Sequence, residues 1–258
     1  NYHTHTQRCY HAWRSDEEFV LAAIKGGFTK LGFSDHSCWK YDSDFVAHMR
    51  MPLSEFDDYY ESISNLREKY KDQIQIYIGL ECEYFPKYMD WLKSFIKEKK
   101  LDYVILGNHY DTTDELQIYY GRVCNDDEEM VRYIDGCIEG MSTGIYSYLA
   151  HPDLFMRSRE KFDDLARSES YRLCKWCKEN HVILEYNLEG ARMGEKRNVV
   201  WYPHPEFWKI AAEVGNDVII GIDAHHTSSL ENNPYYDDAV ETLKKLGMNI
   251  VTEIPLKW

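Results

Sequence analysis

Histidines and carboxylates recur at one kind of position in this chain. His3 and His5 form a His-x-His pair, and His11 follows six residues after His5. Asp35 and His36 follow the run Leu-Gly-Phe-Ser, Glu81 closes Ile-Tyr-Ile-Gly-Leu, and His109 follows Val-Ile-Leu-Gly-Asn. His151 follows Tyr-Ser-Tyr-Leu-Ala, and Asp223 and His225 follow Val-Ile-Ile-Gly-Ile. Imidazole and carboxylate donors are those that zinc, manganese and iron prefer. Side chains alternate along a strand, so His3 and His5 leave the same face and can grip one ion. His11, across a turn, could reach a neighbouring ion, and the two oxygens of Glu81 could bridge two. A lone buried histidine is more often a hydrogen-bonded core residue. Independent core histidines, however, have no reason to collect at strand ends.

The elements that must position these groups alternate. Ser15 and Glu18 make a capping-box pattern ahead of a helix over Asp16–Lys25 that ends at Gly26 and Gly27. The pattern predicts further helices over 54–71, 88–99, 126–142, 163–180, 205–214 and 235–246. Strands are expected over 30–34, 74–80, 102–106, 146–150, 182–186, 217–222 and 249–252. Strands alternating with helices argue for parallel βα units. About seven or eight such units suggest a closed barrel, with a doubly wound open sheet as the alternative. In a barrel every strand delivers its C-terminal end to one rim, where active sites sit. The connections 37–52 and 110–125 are long enough to fold over such a site as lids.

The 258 residues, with 44% hydrophobic and 29% charged, suit a soluble globular protein, and nothing marks a boundary, so 1–258 reads as one domain. No long apolar run suggests a membrane span, and the opening Asn-Tyr-His-Thr-His has no signal-peptide pattern. The net charge of −14 argues against a nucleic-acid partner. Seven scattered cysteines read as reduced thiols in a cytoplasmic protein. Cys174-x-x-Cys177 stands without a second pair, so it reads as two small helix residues. None of the cysteines stands in a convincing nucleophile setting, and no Gly-x-Ser-x-Gly elbow or Gly-rich phosphate loop is present. His48, His181 and His204 read as surface or helix-flanking residues. His226 could be a ligand's hydrogen-bonding partner.

The order His3-x-His5, His11, Ser34-Asp35-His36, Gly79-Leu80-Glu81, His109, His151-Pro152-Asp153 and Asp223-Ala224-His225 resembles the PHP (polymerase and histidinol phosphatase) superfamily. Glu81-Cys82-Glu83-Tyr84, Gly107-Asn108-His109-Tyr110, His151-Pro152-Asp153-Leu154 and the run 184–192 are similar to its histidinol-phosphatase branch. The resemblance implies a distorted (β/α)7 TIM-like barrel with two or three divalent ions (zinc, manganese or iron) at the C-terminal strand ends. Carried over by position, a first ion takes His3, His5, Glu81 and Asp223, a second His11, His36 and His225, and a third Glu81, His109 and His151. Asn1 stands where the family often has an acidic residue, and the doubled His225-His226 is less usual.

The implied activity is hydrolysis of a small phosphomonoester, L-histidinol phosphate, as a step of histidine biosynthesis. A hydroxide bridging two ions would attack phosphorus in line, with Glu81, Asp223 and His225 as the catalytic candidates. Either Asp223 or His225 could protonate the leaving alkoxide. Arg192 and Arg157 are the candidate phosphate contacts. Glu83, Asp153, Glu189 and tyrosines could receive the substrate's ammonium and imidazole. The alternatives are a phosphoesterase of another substrate (a sugar phosphate, phosphotyrosine or a nucleic-acid 3′ end) and a non-catalytic metal-binding relic. A relic should lack ligands, and here every position is filled.

Overall fold

The computed structural model describes residues 1–256. Its strands are β1 (Lys30–His36), β2 (Gln75–Cys82), β3 (Tyr103–Leu106), β4 (Leu184–Asn187), β5 (Asp217–Gly221) and β6 (Asn249–Ile250). They form two parallel three-stranded sheets, ordered β1-β2-β3 and β4-β5-β6. The mixed α/β class with parallel sheets is thus the one the alternation predicts. β1 through β5 are almost wholly buried, as strands covered on both faces must be.

Two irregular segments lie along the edges of these sheets. Residues 147–150 run between β3 and β4, bridging Leu106 and Leu184 through Leu149. The expected strand over 146–150 is therefore reduced to bridges. Residues 1–5 run beside β1, where Gly32 N donates to Asn1 O and Ser34 N to Thr4 O, each at 2.8 Å. On their other side His5 N donates to Ala224 O at 3.0 Å, and Ala224 N to His3 O at 3.1 Å.

Helices Asp16–Lys25, Phe56–Lys69, Met89–Lys99, Asp127–Ser142, Asp164–Glu179, Pro205–Val214 and Pro234–Lys245 occupy the expected intervals. Ser15 and Glu18 form the reciprocal capping box. The helix Leu188–Arg197 is not anticipated by the sequence pattern. Asn187 caps it by accepting from Gly190 N at 2.8 Å. It starts directly after β4, so it lies beside the strand ends. Among the described residues no helix is long and apolar enough to cross a membrane.

A large apolar cluster packs helices against the sheets, and a smaller one gathers Tyr2, Tyr77, Tyr103, Tyr148, Ile105, Ile183 and Ile219. The long connections 37–52 and 110–125 contribute Met49, Tyr110, Gln117, Tyr119 and Arg122 to the wall of the main cavity.

Candidate metal centre

His36 ends β1, Glu81 lies near the end of β2, and His109 follows β3. His151 follows the bridged segment, Asp223 and His225 follow β5, and His3 and His5 come from the segment beside β1. His11 arrives from the turn after Gln7–Cys9. These side chains converge. His3 Nε2 lies 3.5 Å from Glu81 Oε1 and 3.4 Å from Asp223 Oδ1. His5 Nε2 lies 3.6 Å from Glu81 Oε2 and 3.0 Å from Asp223 Oδ1. His151 Nε2 is 2.9 Å and His109 Nε2 3.5 Å from Glu81 Oε1. His36 Nδ1 is 2.9 Å from Glu81 Oε2. The His5 ring stacks on His225 at 4.1 Å, and His11 on His225 at 4.7 Å. Glu81 thus meets five of the histidines at once, through both oxygens.

The donor set fits divalent ions. His3, His5 and Glu81 bring their ligand atoms within 4.8 Å of one another, and so do His5, His36 and His225, and His36, Glu81 and His109. His3 Nε2, His5 Nε2, His225 Nε2 and Asp223 Oδ1 are buried without a hydrogen-bond partner. Buried polar atoms are ordinarily satisfied. Here the orphaned atoms crowd together, as ligands around a cation do.

Backbone strain marks the same residues. His151 has φ 31° and Asp223 φ 52°, left-handed values that favour glycine. Glycine supplies space nearby. A Cβ on Gly107 would stand 2.1 Å from Glu81 Oε1, and one on Gly221 1.8 Å from Glu185 Oε1. Both buried carboxylates occupy room that any other residue there would fill.

A second layer orients the imidazoles. His3 Nδ1 is 2.8 Å from Glu185 Oε1, and His109 Nδ1 is 3.2 Å from Glu83 Oε1. His5 Nδ1 is 3.4 Å from Asp35 Oδ1. Glu185 Oε2 also accepts from His151 N at 3.1 Å and Asn187 Nδ2 at 2.9 Å. Such partners fix which ring nitrogen is free to ligate. Glu185 escapes a reading of strand ends because it lies inside β4.

The electrostatics follow from this crowding. Burial lowers the His3 and His5 imidazoles, but neighbouring carboxylates outweigh it and hold both well above the usual histidine range. Burial raises Glu81 and Asp223, but the surrounding histidines hold both well below the carboxylate range. Burial beside His5 pushes His36 down. The carboxylate field that raises His3 and His5 is one that attracts a cation.

Cys9 is an addition the sequence does not announce. The Gln7–Cys9 turn carries it, wholly buried, into a group with His11 and His225. Burial raises the thiol, but hydrogen bonds with His11, His225 and His5 hold it down at about 3. Cys174 and Cys177 are buried on the helix Asp164–Glu179, where burial pushes both thiols up.

A cavity of about 590 Å³ opens over the centre. Arg157 and Arg192 both line it, joined by Arg122. Arg157 Nη1 donates to the Tyr119 hydroxyl at 2.7 Å, with its guanidinium over the Tyr119 and Trp201 rings. Arg192 forks Glu189 at 2.7 and 2.6 Å.

Two expected substrate contacts are corrected. Glu83 is wholly buried and held by the Arg50 guanidinium at 2.8 and 2.6 Å, away from the cavity. Asp153 is buried and accepts from His204 N at 2.6 Å, so it anchors the loop ahead of the helix Pro205–Val214. Of the three proposed carboxylates only Glu189 lines the cavity. His226 lines it too, whereas His48 and His181 are exposed and His204 caps a helix.

A family profile described as "PHP domain" matches residues 1–189. A Deinococcus radiodurans protein named "Probable histidinol-phosphatase" is 27% identical over 262 residues, 97% of this chain and 94% of that protein. The histidinol-phosphatase of Bacillus subtilis is 28% identical over 255 residues, 88% of this chain and 94% of that protein. Among solved structures, histidinol phosphate phosphatase from Lactococcus lactis subsp. lactis, complexed with zinc, L-histidinol and phosphate, matches with a TM-score of 0.71. It is 20% identical and covers 99% of this chain and 98% of that one, a likeness of fold.

Proposed function

The chain belongs to the PHP domain family, and from that premise we propose that it is a metal-dependent phosphatase converting L-histidinol phosphate and water to L-histidinol and phosphate. One observation carries this reading: an orphaned set of imidazole and carboxylate atoms lies beside a cavity that arginines also line. The names of the full-length relatives supply the substrate.

We assign His3, His5, Glu81 and Asp223 to a first ion, His11, His36 and His225 to a second, and Glu81, His109 and His151 to a third. Zinc, manganese and iron all suit these donors. Bound there, divalent ions supply charge neutralisation for the phosphate and water activated near neutral pH. The protein's own groups do the rest. Arg157, held flat by Tyr119 and Trp201, and Arg192 grip the non-reacting phosphate oxygens as planar forks. Asp223 or His225 returns a proton to the leaving alkoxide. Glu81, through its two oxygens, keeps the ligand groups in one frame.

We further propose that segments 1–5 and 147–150 complete a closed, distorted (β/α)7 ring, making 1–258 one domain. The hydrogen bonds of both segments to the flanking strands support this closure. The free cysteines support a reducing, cytoplasmic setting.

The test is phosphate release by protein reconstituted with Mn²⁺ or Zn²⁺. L-histidinol phosphate, glycerol phosphate, phosphotyrosine and a single-stranded oligonucleotide are compared, with Glu81→Ala as the blank. Preference for L-histidinol phosphate, abolished in the blank, is the expected result. Equal or better turnover of another substrate overturns the substrate assignment.

A further inference from the structure

Among the described residues, the carboxylates lining the cavity are Glu81, Asp223 and Glu189. The first two are assigned to the ligand set, so Glu189 is the carboxylate left to meet a substrate's cation. It is not idle. Arg192, one turn further along the helix Leu188–Arg197, donates Nε to Oε2 at 2.7 Å and Nη2 to Oε1 at 2.6 Å. The pair is largely sheltered, with Glu189 16% and Arg192 31% exposed. Arg157 differs, because among the described residues it has no carboxylate partner and leans on the Tyr119 hydroxyl.

A phosphate presents the same paired oxygens to a guanidinium as a carboxylate does. A phosphate reaching Arg192 therefore competes with Glu189 for one fork. If it wins, Glu189 is left as a sheltered carboxylate without a counter-charge, which is costly. A substrate carrying its own cation removes that cost. A purely anionic substrate does not.

We propose that Glu189 is a specificity residue that binds the ammonium of an amino-alcohol phosphomonoester, and that Arg192 exchanges Glu189 for the phosphate as the substrate enters. The inference rests on the phosphatase reading and extends it to substrate choice. Selectivity against sugar phosphates then arises from a penalty on the wrong ligand as well as from contacts to the right one. The exchange also couples two ligands. Phosphate at Arg192 frees Glu189, so phosphate tightens the binding of a free amino alcohol, and the reverse holds by linkage.

Calorimetry on metal-reconstituted protein reads this without turnover. L-histidinol is titrated with and without inorganic phosphate, and phosphate with and without L-histidinol. The native protein should bind L-histidinol about 5- to 100-fold more tightly in the presence of phosphate. Glu189→Gln should abolish that coupling. Arg192→Gln should leave L-histidinol binding independent of phosphate, because Glu189 is already free. Thermal melts accompany each variant, and the two substitutions act in opposite directions on L-histidinol affinity, which misfolding would not do. Absent coupling in the native protein, or coupling that survives Glu189→Gln, overturns the exchange. Turnover of L-histidinol phosphate by the same native sample tells whether the phosphatase reading stands when the exchange falls.

Discussion

His3 Nδ1 and Glu185 Oε1 stand 2.8 Å apart, and both side chains are wholly buried. An ionised carboxylate only accepts, so the contact puts the proton on Nδ1 and turns Nε2 toward Glu81 and Asp223. Glu185→Gln keeps the shape and weakens this constraint. We expect about a 10- to 100-fold loss of affinity for the first ion, read by competition with a chelating dye. Native affinity in the variant would show that His3 needs no such partner.

Arg50 is buried against Glu83 and Asp114, and Glu83 in turn holds His109. Breaking a buried pair leaves a charge without compensation, so Arg50→Met should cost about 3–5 kcal/mol in chemical denaturation. Because Glu83 then loses the partner that fixes it, the His109 ion should also be released more readily. A variant as stable as the native protein would contradict the pairing.

Asp153 supplies a pH signature. Burial pushes its carboxyl up to about 7, against hydrogen bonding from the His204 backbone N–H that draws it down. Its folded value lies above its ordinary value of 3.8, so the folded state retains a proton the unfolded chain releases. The stability this gives is complete below that ordinary value and is lost as pH rises through about 7. Asp153→Asn should remove this slope between about pH 4 and 7 in melts of metal-free protein. Parallel curves for the two proteins would refute it.

Arg157 tests the phosphate grip. Arg157→Lys retains charge but loses the planar fork and its stacking on Tyr119 and Trp201. The expected fall in kcat/KM for L-histidinol phosphate is between about 10- and 100-fold, the range of one or two charged hydrogen bonds. An unchanged value would remove Arg157 from the binding groups.

Much of this site is legible from the chain because strand geometry is simple. A strand's end is marked by where its apolar run stops, and parallel strands bring their ends together. That logic locates His36, Glu81, His109, His151, Asp223 and His225. It fails for Glu185, which lies inside β4, and although it marks Asp35 it does not show that Asp35 faces a ring nitrogen of His5 across the fold. It fails for Cys9, which a single turn folds back among histidines. The helix Leu188–Arg197 is hidden because Gly190 and Gly194 lower its helix propensity. Residues 146–150 look like a strand because their neighbours are apolar, yet only Leu149 forms bridges. Glu83 and Asp153 look like substrate contacts because a sequence does not show that Arg50 and the His204 backbone already occupy them.

The most direct measurement is anomalous diffraction at the manganese edge from crystals grown with Mn²⁺ and phosphate. Two or three manganese peaks are expected among His3, His5, His11, His36, Glu81, His109, His151, Asp223 and His225, with phosphate between them and Arg157 and Arg192. Manganese bound elsewhere, or no peak within this set, would contradict the assignment of the centre.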